Sequence, residues 1–253
     1  MRTKIHELTK VFLKNSLDNK SQFILTLIFP LIFLIWNNYS LLFKDISDGV
    51  FYNLLFNYLS FITIMHVMSG FSISLLAYKE NGFLKMFKYV IGSKNVIIIS
   101  NFIAQSITLL STLLVFTIAA SIMFMKFSLL FKALLVVILS LLVCIIPISM
   151  LFLWIPALNV RLATISPITT LIAIALTFLS SLSTGRNNIP EYLLLLNPVK
   201  LFTETLDSIY NLVFKGVFDP LYSVTIVVIL LIYIVFGLTF TKKIGVLSSL
   251  SRF

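Results

Sequence analysis

The chain has 253 residues, of which 59% are hydrophobic and 11% charged, and its formal net charge is +10. A soluble domain carries about 25% charged residues, so this composition, with a mean hydropathy of +1.07, excludes a soluble domain and marks an integral membrane protein. His6, His66 and the single Cys144 are too few for a zinc cluster, an H-E-x-x-H site or an intrachain disulfide, and no glycine precedes a lysine, which excludes a P-loop.

In chain order, residues 1–21 carry Arg2, Lys4, Lys10, Lys14 and Lys20 and lack the apolar core and small-residue cleavage site of a signal peptide. Ile5, Leu8 and Phe12 share a helical face with lysines outside it, the pattern of a helix lying on the membrane surface; a solvated basic tail is the alternative. Runs of about 20 apolar residues then predict six spans, at 22–43, 54–77, 96–125, 129–157, 163–184 and 221–241. No internal repeat breaks the chain, so 1–253 is read as one membrane domain. With both ends on one side, six of the 19 basic residues (Lys44, Lys126, Lys132, Arg186, Lys200, Lys215) fall on the far side, and the remaining majority falls on the side of the termini. Loops rich in Lys and Arg are retained in the cytosol, so both termini are expected to be cytoplasmic. Anionic lipid on that face accounts for the positive charge without nucleic acid.

No acid falls at membrane depth, which argues against an ion pump or a voltage sensor. In the second span Ser60, Thr63, His66, Gly70 and Ser74 fall on one arc of an ideal helix. A neutral histidine satisfied by a neighbouring helix is the simpler account of His66 and a proton relay the other; the polar arc as a whole could instead line a substrate path. Pro30, Pro147 and Pro167 interrupt spans and are expected to kink them. Asp45, Asp48 and Glu80 are the only acids placed near an interface for chemistry on lipid, and they form no convergent set.

Two segments between spans are informative. Residues 78–95, Y-K-E-N-G-F-L-K-M-F-K-Y-V-I-G-S-K-N, hold Lys79, Lys85, Lys88 and Lys94 against Glu80. After Gly82 the residues Phe83, Leu84, Phe87, Val90 and Ile91 recur at helical spacing, which predicts a short amphipathic helix. It either lies in the headgroup layer or offers Phe83, Leu84 and Phe87 to a cytosolic partner, with Lys85 and Lys88 steering an acidic rim. Residues 185–220 are too polar to span, yet Leu193–Leu196, Val199, Leu201, Phe202, Leu206, Ile209 and Leu212 keep them from being a free loop. Asn197 reads as an N-cap and Pro198 as the first helical residue, giving a half-buried hairpin.

Glu80, Gly82, Leu84 and Lys85 resemble the E-x-G-T-L-x-R-L core after the second span of ABC-2 type permeases, with Phe83 in place of Thr and Ile91 where Pro is common. The stretch L-N-P-V-K-L-F-T-E-T-L is similar to the family's L-N-P-L-x-x-x-x-E-x-x-R motif through Asn197, Pro198 and Glu204, with Asp207 where a basic residue is usual. The resemblance implies an all-α polytopic protein with an N-terminal amphipathic elbow, six transmembrane helices, a cytoplasmic coupling helix and an extracellular re-entrant hairpin. It implies the permease of an ATP-binding cassette exporter in a bacterial cytoplasmic membrane, paired with a second permease chain, identical or homologous, and two ATPase subunits. No cofactor is expected in this chain; ATP and Mg would be bound by the ATPase. Glu80, Gly82, Phe83, Leu84, Lys85, Phe87 and Lys88 would then couple to the ATPase, and Asn197, Pro198 and Glu204 would form an outer gate. Cargo of the family includes peptides, drugs, lipid-linked glycans and haem-related compounds. A span set without buried charge and with 24 Phe and 9 Tyr suits amphipathic or hydrophobic cargo, a peptide toxin or antimicrobial being favoured. A non-transporting immunity or sensor subunit that docks an ATPase is the rival reading.

Overall fold

The structure, a computed structural model, describes residues 2–44, 46–181 and 189–245, and all regular structure in them is helical. Asp45, Arg186, Arg252, the predicted end of the fifth span and the start of the 185–220 segment lie outside the described residues. Helix α1 spans Arg2–Asp18. Helix α2 is built of Lys20–Phe23, a π-helical turn Ile24–Ile28 and Phe29–Asn37. There follow α3 (Asp48–Glu80), a short α4 (Phe83–Ile91), α5 (Lys94–Met123), α6 (Phe127–Ala157) and α7 (Leu162–Ser180). Helices α8 (Ile189–Leu194), α9 (Pro198–Tyr210) and α10 (Pro220–Lys243) complete the chain.

Five helices, α3, α5, α6, α7 and α10, are long and apolar enough to cross a membrane, which makes this an all-α, multi-pass membrane protein. The sixth expected span is where sequence and structure differ. The run 22–43 is helical only as far as Asn37, and its apolar part is the shorter Ile24–Asn37. Asn38 ends it by turning its own carboxamide back to the Leu34 carbonyl at 3.0 Å, and a 3₁₀ turn, Tyr39–Leu41, follows. Eighteen residues from Lys20 to Asn37 give about 27 Å of helix, close to the hydrocarbon thickness of about 30 Å.

Helix α3 is the centre of the bundle: 83% of its apolar window is enclosed, against 39% or less for the other four. Ser47 starts it by accepting from Val50 N at 3.4 Å, and Asp219 starts α10 by accepting from Tyr222 N at 3.2 Å with Pro220 following. Pro147 and Pro167 lie inside α6 and α7 without ending them, and Pro30 sits where α2 returns from π to α geometry. Helices α6 and α10 approach so closely that a Cβ on Gly237 would lie 2.5 Å from Met150 Cβ.

Helix α1 forms over the expected residues, but the apolar face expected to lie on the membrane surface rests on protein, with Leu8 and Phe12 buried. Phe12 stacks on Tyr78 at 5.0 Å, Asn15 donates to the Tyr78 hydroxyl at 2.9 Å, and Ser100 of α5 donates to the Ile5 carbonyl at 3.3 Å. Val11 and Leu17 remain exposed on the other side.

Candidate functional sites

Helix α4 is bounded by two glycines in the left-handed region, Gly82 at φ 75° and Gly92 at φ 88°, a conformation that costs L-residues energy. It can therefore run at an angle to both neighbours. At about 100° per residue its apolar surface is far wider than one stripe, and the structure divides it. Leu84 is only 4% exposed, and Phe87 packs edge-on against Phe12 of α1 at 5.7 Å, so this half belongs to the chain's own packing. Lys4 closes the contact by donating to the Ile91 carbonyl at 3.3 Å. Phe83, Met86, Val90 and Tyr89 form the other half; Tyr89 is 80% exposed, and Lys85 and Lys88 are exposed beside them. Of the three apolar anchors read from sequence, only Phe83 faces outward. Met86 and Tyr89 were overlooked because both halves satisfy helical spacing, and spacing alone does not say which half meets the protein.

The last turn of α3 holds a second arrangement that sequence reading placed in the loop. Lys79 is 2% exposed, and its ammonium donates to the carbonyls of Pro156 (3.1 Å) and Leu158 (2.9 Å) and to Asn159 Oδ1 (3.1 Å). These acceptors lie at the C-terminal end of α6, where a helix carries its partial negative charge. The next residue does the converse. Glu80 Oε2 accepts from Leu162 N at 2.8 Å, at the start of α7, where the dipole is positive. One dipeptide thus clamps both sides of the 158–161 turn, cation to C-terminus and anion to N-terminus. Glu80 faces the chain, and its visible role is to cap α7.

At the opposite end Asn197 caps α9 as expected, Oδ1 accepting from Val199 N at 3.0 Å, while its Nδ2 donates to the Leu176 carbonyl of α7. Pro198 is the first residue of α9 and is buried, as are Val199, Leu201, Phe202 and Leu206. Tyr233, in the middle of α10, donates to the Leu196 carbonyl at 2.7 Å, so the turn before α9 lies deep along the bundle. Glu204 pairs with Lys200 at 2.9 Å on the wall of a cavity of about 620 Å³ that also holds Asp48, Tyr52, Asp207 and Lys215. Tyr210 lies tilted against Tyr52 with ring centroids 4.1 Å apart, and burial, reinforced by the Asp48 charge, pushes its hydroxyl above the usual phenol range. Asp207, placed where the motif has a basic residue, accepts from Asn211 at 2.9 Å.

The polar arc of α3 is drawn into helix contacts. Ser60 donates to the Phe56 carbonyl and accepts from Thr203 of α9 at 2.8 Å; Thr63 donates to the Leu59 carbonyl. His66 Nε2 lies 3.1 Å from the Gln105 carbonyl and from Thr108 Oγ1 of α5, and Ser74 pairs with Asn101. Gly70 admits the Gln22 and Gln105 carboxamides, and a Cβ there would meet Gln105 Oε1 at 2.7 Å. His66 is therefore held by a neighbouring helix, the simpler of the two expectations. Of the five residues, His66 also borders a cavity that opens to the surface.

The chain matches no protein-family model, no curated protein and no solved structure.

Proposed function

We propose that this chain is the membrane-spanning subunit of an ATP-driven exporter of the ABC-2 type, with α2 as a sixth span and both termini in the cytosol. The observation that carries the reading is α4: a short helix after a long spanning helix, set off by two left-handed glycines, with an apolar half left open beside two lysines. An ATPase subunit with an apolar cleft and an acidic rim fits that half. Two permease chains and two ATPase subunits would form the working complex. In that complex α1 is the elbow, and the α8–α9 segment is a re-entrant hairpin closing the outer mouth, with Asn197, Pro198 and Glu204 at its gate. The cargo is amphipathic or hydrophobic, a peptide toxin or antimicrobial being the favoured class, because among the described residues the spanning helices keep their charges near the ends.

The test is affinity purification of the tagged chain from its native membrane, with mass spectrometry of the proteins retained alongside it. An ATP-binding cassette subunit should co-purify, and its recovery should fall at least tenfold in Phe83→Ala with Met86→Ala. Wild-type recovery in that variant, or a purified chain that never brings an ATPase, would overturn the proposal. Leu84→Ala is unsuitable here, because that side chain lies inside the fold.

A further inference from the structure

A cleft of about 320 Å³ runs between α1, α2 and α5, with His66 of α3 at its back. At about 30 Å³ per water-sized group it takes on the order of ten non-hydrogen atoms. Its inner wall is polar: Gln22 Nε2 donates to Gln105 Oε1 at 3.2 Å, Ser16 donates to the same oxygen at 3.4 Å, and Thr108 stands against His66. That wall has hydrogen-bonding capacity left over. Among the described residues His66 Nδ1 is buried without a partner, and the carboxamide of Gln22, a residue 8% exposed, is bonded through Nε2, which leaves Oε1 to accept from a ligand at the cleft. Unmatched polar groups at membrane depth are unfavourable. Two π-helical turns, Ile24–Ile28 and Val67–Ser72, flank the same place, a distortion that recurs at functional sites.

The mouth has the opposite character. Leu17, Phe23, Ile107 and Val115 line it and are exposed, so it opens sideways onto the hydrocarbon that surrounds a spanning helix. Among the described residues no ionisable side chain besides His66 lines the cleft, so the inserted part of a ligand is uncharged. Lys14 and Lys20 are exposed where α1 meets α2, with Asp18 the one acid between them, leaving a net positive corner at the cleft's edge. A ligand matching all three features has apolar chains, an anionic phosphate and a hydroxyl donor.

We infer that the cleft is a specific site for one anionic glycerophospholipid with a hydroxylated headgroup. A headgroup hydroxyl donates to Gln22 Oε1, the phosphate lies at Lys14 and Lys20, and the chains lie along Phe23, Leu27 and Val115. The inference rests on the membrane character of the chain and not on export, and its test needs no ATPase, so either reading can fail without the other.

The experiment is native mass spectrometry of the full chain, stripped of lipid in detergent and then mixed with dioleoyl phosphatidylglycerol or dioleoyl phosphatidylcholine. The wild type should retain one phosphatidylglycerol per chain, at least tenfold over phosphatidylcholine, which has no hydroxyl donor. Ser111→Trp fills the mouth from an exposed position and should reduce retention tenfold or more. Val224→Trp, exposed on α10, should leave it unchanged. Lys14→Gln with Lys20→Gln, both at the surface, should abolish the preference between the two lipids, and keeps the test decisive if Ser111→Trp does not fold. Equal retention of both lipids by the wild type, or a preference unchanged by the double lysine variant, would overturn the site.

Discussion

Replacing Lys79 by Met keeps the length and apolar stem of the side chain and removes the ammonium that holds the end of α6. Three acceptors lose their donor: the Pro156 and Leu158 carbonyls and Asn159 Oδ1. Asn159 is exposed and rehydrates, whereas Pro156 is buried and Leu158 half-buried. Each enclosed acceptor left unmatched costs about 1–3 kcal/mol, and loss of the charge at the helix C-terminus adds about 0.3–1 kcal/mol. Relief of the desolvated ammonium offsets part of this, leaving a local loss of about 3 kcal/mol, roughly a hundredfold in the opening equilibrium. Glu80→Gln retains an acceptor for Leu162 N and loses only the charge on the dipole, about 0.5–1 kcal/mol or roughly two- to fivefold. Hydrogen exchange of the amides in 158–165, in detergent, reads both numbers directly, because local opening governs exchange there. Lys79→Met should accelerate it about a hundredfold, Glu80→Gln by a few fold, and Lys85→Met, a change at an exposed position, not at all. If Glu80→Gln loosens the turn as much as Lys79→Met does, or neither does, the clamp does not hold the α6–α7 junction.

Gly70→Ala forces a methyl group against the Gln22 and Gln105 carboxamides; overpacking of this kind costs about 1–3 kcal/mol, and detergent-solubilised protein should lose its fold at a visibly lower temperature by size-exclusion after heating. Asn197→Ala removes the α9 cap and the bond to Leu176, so exchange of the first α9 amides should rise about tenfold for a loss near 1–2 kcal/mol. Pro198→Gly keeps that cap and frees the backbone behind it, so in the proposed exporter basal ATPase turnover should change while the complex still assembles. Unchanged turnover would remove the hairpin from gating.

Spanning helices were legible because a run of apolar residues has one physical meaning at this length, and five of six runs became helices with ends displaced by a few residues. The remaining run is helical only as far as Asn37, because the Asn38 side chain, which competes for the Leu34 carbonyl, ends the helix inside an apolar run. Caps were legible too: Asn197 and Pro198 need only their immediate neighbours to act, so sequence placed them correctly. Long-range pairings were not. That Lys79 turns towards residues 156–159 while Lys85 turns outward depends on where α6 ends, which no local pattern encodes. The same holds for α4, whose two apolar halves differ only in which one meets Phe12.

The two long-range pairings act on the same object from opposite sides. Helix α4 is held to α1 through Phe87 and Lys4, and its preceding residues, Lys79 and Glu80, are held to the ends of α6 and α7. Only Asn81 and Gly82 separate the clamp from α4, and Gly82 sits in a conformation fixed by its place in the turn. In the proposed exporter, a load on the open half of α4 would reach the α6–α7 junction through the buried ammonium and the capping carboxylate at the end of α3. Packed interfaces and caps of this kind transmit small displacements because they have few intermediate arrangements. If the chain is the exporter subunit proposed above, the prediction peculiar to this route is that Lys79→Met leaves ATPase recovery with the chain intact while separating ATP turnover from export, whereas Phe83→Ala with Met86→Ala removes the ATPase itself.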